Sequence, residues 1–265
     1  MRIVVPIKQV PETSAVKMDE ATGTMIREGV EAIVNPLDLY AIELAIRLRE
    51  AHGGRTVAVS MGPPKAEWAL REAIAMGIDE AVLVSDKAFA GSDTWATSYV
   101  LAAAIRKLGG FDLVICGERA TDGDTGQVGP GIASWLDVPV VTYVSRLDEV
   151  AGRTCRVHRL VEDGYEVLEA DLPAVLTVVK EAADPRLPTL RGKLKARVVE
   201  IPVWGPGDLD VQADKLGLNG SPTRVVRIFR PKVTRQCQKL PAGDEVAVQQ
   251  AVEKLVGFLQ ERELV

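Results

Sequence analysis

Leu113-Val114-Ile115-Cys116-Gly117-Glu118-Arg119-Ala120-Thr121-Asp122-Gly123-Asp124-Thr125-Gly126-Gln127-Val128-Gly129-Pro130 is the stretch whose reading decides the fold. Asp112 to Cys116, apolar after its first residue, reads as a buried strand. Ile132 to Leu136 reads as helical, so a glycine-bearing loop joins a strand's carboxyl end to a helix start. In an open α/β sheet that junction is where ligands bind. Gly123, Gly126 and Gly129 let the backbone come close to a ligand, and Thr125, Gln127 and the amides of the helix start can donate to phosphate oxygens. The chemistry suits an anionic diphosphate. Asp122 and Asp124 would repel it if they faced it, so they are expected to cap amides, hold a ribose hydroxyl or point away. A capped turn with no ligand explains the composition of this loop as well.

Upstream, from Ile3 to about Tyr143, one theme repeats: a short apolar run, a turn, then an amphipathic segment. That is the pattern of a parallel sheet with crossover helices. The first helix is expected to be capped by Asn35, with Pro36 at its first position, Leu37, Tyr40, Ala41, Leu44, Ala45 and Leu48 on one face, and Gly53-Gly54 as its stop. Arg55 to Met61 reads as a strand that breaks at Gly62-Pro63-Pro64. Ala66, Ala69, Leu70, Ala73 and Ile74 mark the next helix, and Ala81 to Val84 the next strand. Ser92-Asp93-Thr94 is expected to cap a third helix with Leu101, Ala102, Ile105 and Leu108 inside.

Downstream the pattern changes. Cys155 to Leu160 and Glu166 to Leu168 flank Asp163-Gly164, a hairpin signal, and Ala174 to Val179 is another apolar strand. These are expected to add antiparallel strands at one sheet edge. From Asp184 to about Gln238 there is scattered Pro and Gly, a basic stretch at 191–197 and little apolar periodicity, as in a segment that packs on something else. Val248, Val252, Leu255, Val256 and Leu259 then define a last amphipathic helix. The organisation expected is an α/β domain over residues 1–183 and a C-terminal arm over 184–265, the arm and its helix serving a partner subunit.

The chain's 265 residues, 47% of them hydrophobic, are enough for a sizeable core. Its 32 basic and 37 acidic residues give a charge of −5, which argues against a nucleic-acid footprint. Cys116, Cys155 and Cys237 have no paired spacing, so neither a disulfide framework nor a zinc site is expected. No apolar run reaches the roughly 20 residues of a membrane span, and a cytoplasmic protein is expected. His52 and His158 have no nucleophile or ligand-spaced companion. There is no G-x-G-x-x-G after the first strand and no G-x-x-x-x-G-K-[ST], so any nucleotide is held another way. Pro6 to Val10, Asn35 to Asp38 and Met61-Gly62-Pro63 fall at turns expected on the same sheet edge as the glycine loop, and four loops converging there favour a pocket more than any one alone.

Lys8-Gln9-Val10-Pro11, Asn35-Pro36, Val59-Ser60-Met61-Gly62-Pro63 and Asp122-Gly123-Asp124-Thr125-Gly126-Gln127, in this order, resemble the electron transfer flavoprotein β subunit over essentially the whole chain. The resemblance implies a doubly wound, mostly parallel α/β sheet of the adenine nucleotide alpha hydrolase-like kind, with antiparallel edge strands and an extended C-terminal arm ending in a helix. It implies a nucleotide pocket built from Pro6, Lys8, Asn35, Pro36, Leu37, Asp38, Met61, Gly62, Gly117, Arg119, Ala120, Asp122, Gly123, Asp124, Thr125, Gly126, Gln127 and Val128. The segment from Pro185 to Arg197 looks like the family's recognition loop for dehydrogenases, with Leu190 as apolar anchor and Arg191, Lys193 and Lys195 beside it.

Housekeeping members of that family hold AMP in the β subunit, whereas electron-bifurcating members hold a second FAD there. The glycine-bearing run 122–125, its continuation to Pro130, the Lys8-to-Pro11 run and the polar segment Ser85 to Ser98 are more similar to the bifurcating branch. Asp93, Thr94, Thr97 and Ser98 would then supply hydrogen-bond donors and acceptors near the flavin ring. Likeness to that branch implies a chain that, with its α subunit, binds FAD, accepts a hydride from NADH and splits the electron pair. One electron goes to ferredoxin or flavodoxin and the other to an acyl-CoA dehydrogenase-type protein. The alternative is a housekeeping carrier with AMP. An ATP pyrophosphatase-like enzyme is disfavoured because Lys8 to Thr13 lacks the Ser-Gly-Gly phosphate cradle. A stress-type nucleotide-binding dimer would leave the arm from Asp184 without purpose.

Overall fold

Ile3-Val4-Val5 and Leu113-Val114-Ile115 are apolar at every position because they form the two central strands of a sheet covered on both faces. In the computed structural model, which describes residues 1–12, 17–18, 25–26, 32–226 and 237–264, these strands belong to the first of two compact units, Met1–Val226 and Arg227–Val265. The elements follow in chain order. β1 (Arg2–Pro6) leads into β2 (Gln9–Pro11), which pairs antiparallel with β5 (Ala32–Val34), and β3 (Lys17–Met18) pairs with β4 (Met25–Ile26). Then come α1 (Asp38–His52), β6 (Arg55–Met61), α2 (Glu67–Met76), β7 (Glu80–Val84), α3 (Thr94–Leu108), β8 (Leu113–Gly117) and α4 (Val128–Leu136). β9 (Val140–Ala151), β10 (Thr154–Val161), β11 (Gly164–Asp171), β12 (Ala174–Val178), α5 (Leu190–Val198), β13 (Val203–Trp204) and the short α6 (Gly217–Gly220) complete the first unit, and α7 (Glu245–Gln260) lies in the second.

Among the described residues, nine strands form one sheet in the order β11-β10-β9-β12-β8-β1-β6-β7-β13. Ile3 and Val5 point to the face covered by α1 and α2, and Val4, Val57 and Val59 to the face covered by α3 and α4. The α/β doubly wound reading therefore holds. Each fully buried Ile or Leu of this core stabilises the fold by about 1.5–3 kcal/mol before entropy is counted.

Two expectations change. Ala174 to Val178 is not at the antiparallel edge: β12 lies between β8 and β9 and runs parallel to both. All five of its residues are buried, which only an interior strand permits. The antiparallel edge is the hairpin β10–β11, paired through β9. The basic stretch at 191–197 is a helix, α5, started by Thr189, whose hydroxyl accepts from the Gly192 amide. It escapes a periodicity search because Ala196 is its only buried residue. α5 touches α2 through backbone, since a Cβ on Gly192 would lie 2.1 Å from the Ala75 carbonyl oxygen. Arg71 of α2 donates to the carbonyls of Ala196 and Val199.

The segment leading to α5 is fastened to α1 by Arg186, which bonds Glu43 at 2.8 Å and Glu50 at 2.7 Å. Burial would raise the Glu43 pKa, but the hydrogen bonds from Arg186 and Arg47 outweigh it and hold the carboxyl below the usual range. Arg186→Met leaves Glu43 buried with Arg47 as its remaining partner and should cost about 2 kcal/mol in urea unfolding at pH 7. A depressed carboxylate pKa contributes stability that is lost as pH falls through the folded value, so the difference between variant and parent should shrink below about pH 4. A constant difference down to pH 3 would remove the ion pair as its cause.

Candidate functional site

β1, β6, β7 and β8 end at one edge of the sheet, where β1 and β8 lie side by side while α1 and α3 diverge to opposite faces. This is a topological switch point, and a cavity of about 1140 Å³ opens there. Its walls come from Pro6 to Lys8, Asp38, Met61 to Pro64, the segment from Ser85 to Thr97, Gly117 to Ala120, Gly123, Thr125 to Gly129, and Thr223 and Val225.

Of the residues singled out from sequence, Pro6, Lys8, Asp38, Met61, Gly62, Asp93, Thr94, Thr97, Gly117, Arg119, Ala120, Gly123, Thr125, Gly126, Gln127 and Val128 line this cavity. Asn35, Pro36, Leu37, Asp122 and Asp124 are not among its lining residues, nor is Ser98, which is buried with its hydroxyl donating to the Trp95 carbonyl. The chain after β1 continues from Lys8 into β2, and the first helix among the described residues starts at Asp38.

Asn35 is not a helix cap. Leu37 holds the cap position with no side-chain bond, because the Asn35 side chain is drawn inward between two loops. Its Nδ2 donates to Asp38 Oδ1 at 2.9 Å and to the Arg119 carbonyl at 2.8 Å, and its Oδ1 accepts from the Thr121 amide. Asp38 Oδ2 accepts from the Lys8 amide at 2.7 Å. Gly117 is required beside this knot: a Cβ there would lie 2.4 Å from Asp38 Oδ1. Burial is the largest influence on Asp38 and pushes its pKa up to about 7, against the opposing hydrogen bonds from Asn35 and the Lys8 amide.

The two acids of the loop are occupied by cations of the same wall. Lys8 Nζ meets Asp122 at 2.7 Å, and Arg119 Nε meets Asp124 at 2.9 Å. Asp124 and Gly126 both take positive φ, 52° and 64°, which turns the loop back towards α4. α4 starts at Val128 without a side-chain cap, so its first amides are free to meet an anion. A Cβ on Gly129 would lie 2.5 Å from Thr177 Cγ2, so this glycine brings α4 down onto the sheet.

A further part of the lining starts at Asp93, which caps α3 as expected, accepting from the amides of Trp95 and Ala96 at 3.0 Å. Thr223 and Val225 of this wall were not legible in the sequence, since no local pattern links residue 93 to a segment 130 positions away. Elsewhere, His158 is bonded to Asp148 at 2.7 Å on the β9–β10 pair, and no cluster of three metal ligands exists among the described residues. Cys116 borders the cavity, and burial pushes its thiol pKa up. Leu190, Arg191 and Lys193 are exposed on α5, while Lys195 Nζ donates to the Asp79 carbonyl.

The model of the electron transfer flavoprotein domain matches residues 22–208. The chain is 49% identical over 256 residues to the electron transfer flavoprotein subunit beta of Thermoanaerobacterium thermosaccharolyticum, covering 96% of this chain and 98% of that protein. The chain belongs to the electron transfer flavoprotein β-subunit family. It is also 51% identical over 232 residues to the caffeyl-CoA reductase-Etf complex subunit CarD of Acetobacterium woodii, covering 87% and 88% of the two chains. With protein FixA of Azorhizobium caulinodans it shares 44% identity over 238 residues, 87% and 85% of the chains. Electron transfer flavoprotein β subunits pair with an α subunit. The β-subunit chain has no buried residue on α7, and no helix among its described residues is long and apolar enough to cross a membrane.

Because the folded state raises the Asp38 pKa, it favours the protonated carboxyl, and stability is lost as pH rises through about 7. Unfolding free energy of the unliganded protein should therefore fall between pH 4 and 7. Asp38→Asn should remove most of that slope, and an unchanged slope would assign it to other groups.

Proposed function

We propose that this chain holds FAD in the cavity and, with an α subunit, takes electrons from NADH and divides them. One share would go to ferredoxin or flavodoxin and the other to an acyl-CoA dehydrogenase-type partner. The observation that carries this reading is the extent of the cavity. At about 1140 Å³ it exceeds the roughly 300–1,000 Å³ of ordinary ligand pockets. Its lining joins the glycine loop and the α4 start to Thr94, Thr97 and Thr223. The similarity to CarD, a subunit of a complex that its name couples to a caffeyl-CoA reductase, supports the same branch. A cytoplasmic location goes with this reading.

The residues present fit such a group. Gly126, at positive φ, and the uncapped α4 amides would receive the diphosphate. Lys8 and Arg119 would exchange Asp122 and Asp124 for phosphate oxygens. The hydroxyls of Thr94 and Thr97 would serve ring oxygens and nitrogens as donors or acceptors. When bound, the flavin supplies the acceptance of a hydride and its onward release as single electrons. The chain's own part is to bind it, orient it and keep its phosphates neutralised.

Co-expression with the α subunit, followed by extraction and chromatography, tests the reading: two FAD per heterodimer and no AMP are expected. One FAD and one AMP would make this a housekeeping carrier with AMP at the glycine loop. Leu190, exposed on α5 between Arg191 and the Arg186 anchor, is proposed as the apolar contact for the dehydrogenase. Leu190→Ala should slow electron delivery about tenfold with flavin content unchanged, and an unaltered rate would remove it from that role.

A further inference from the structure

Asp93 does not offer a free carboxylate to the cavity, because both of its oxygens are already used. Oδ1 accepts from the amides of Trp95 and Ala96 at the start of α3. Oδ2 accepts from the amide of Thr223 at 2.9 Å and from its hydroxyl at 2.8 Å. The Asp93 amide in turn donates to Ser221 Oγ at 2.8 Å. The segments around residues 90 and 220 are interlocked nearby as well. Leu218 donates its amide to the Ala90 carbonyl, and a Cβ on Gly217 would lie 2.4 Å from the Ala88 carbonyl oxygen. Burial alone would raise the Asp93 pKa, but these donors hold it below the ordinary aspartate value, so the latch stays ionised at neutral pH.

The consequence lies in what the latch positions. Thr223 and Val225 line the cavity together with Thr94, Thr97 and the loop Gly123 to Gly129, and Thr223 is bonded to Asp93 at the start of α3. We infer that Asp93 is a positioning residue which pins Thr223 and Val225 against the part of a dinucleotide distant from the phosphate loop, and so selects a dinucleotide over a mononucleotide. This rests on the proposed nucleotide site. On this inference, binding of a mononucleotide held at the glycine loop and α4 would not depend on the pinned segment.

Two substitutions separate the latch from the helix cap. Asp93→Asn keeps an Oδ1 acceptor for Trp95 and Ala96, since asparagine caps helices as well as aspartate does, but turns an amide donor towards the Thr223 amide. Thr223→Val keeps the branched shape and removes only the hydroxyl donor, and Thr223→Ser restores it. FAD and AMP affinities are measured by calorimetry on the α-subunit complex stripped of nucleotide. The expected result is FAD binding at least about tenfold weaker in Asp93→Asn and Thr223→Val, AMP binding unchanged, and FAD binding recovered in Thr223→Ser. Equal losses for both nucleotides, or FAD affinity matching the parent, would overturn the latch. A parent complex that takes up neither nucleotide in this subunit would instead overturn the site on which it rests.

Discussion

Gly117 and Asp38 approach so closely that no side chain fits between them, and the site is organised around that contact. Asp38 stands at the start of α1, Gly117 at the end of β8, and the amide of Lys8, just past β1, closes the group through Asp38 Oδ2. Asn35 adds a third link by holding the Arg119 carbonyl and the Thr121 amide. Three loops distant in sequence are thus joined by one buried carboxyl and one buried amide. The carboxyl is costly to bury, which is why its pKa is raised, and the hydrogen bonds it gathers offset part of that cost.

The same balance of charge governs the rim. Lys8 and Arg119 would repel each other if both stood free beside an empty cavity, and Asp122 and Asp124 neutralise them from within the same loop. Both pairs are partly exposed, so each contributes little to stability. For the proposed ligand their consequence would be in binding: a polyanion would meet cations that are already oriented and exchange one acid for another, without ordering two long side chains anew.

Much of this was legible in the sequence, for physical reasons that can be named. Continuous apolar runs placed the central strands, the 3.6-residue spacing of Ala66, Ala69, Leu70, Ala73 and Ile74 placed α2, and Asp163-Gly164 placed the hairpin. Asp93 was readable as a cap because capping is a contact across two or three residues. Two things had no local signature. The position of β12 between β8 and β9 is a choice of neighbour, and an apolar run states only that it is buried. α5 carries no apolar stripe because it rests on α2 through Gly192 and the arginine-bound carbonyls of its last turn. Asn35 was assigned to a cap on its type and spacing, but a buried amide takes its partners from whichever loops surround it.

A glycine loop over a helix start recognises phosphate, and every adenine nucleotide brings phosphate. Such a loop therefore fixes where a nucleotide is held without fixing how long the nucleotide is. Discrimination by length has to come from the far wall, and in this fold that wall is composite. Thr94 and Thr97 come from the first turns of α3, and Thr223 and Val225 from a segment that returns after β13. A wall made of two segments is only as well placed as the bonds between them, and Asp93 carries two of these on Oδ2, from the amide and hydroxyl of Thr223, while its Oδ1 caps α3. If the cavity holds a nucleotide as proposed, selectivity for it would therefore change through residues that never touch the glycine loop. Two chains with the same Asp122-to-Gln127 sequence need not hold the same nucleotide.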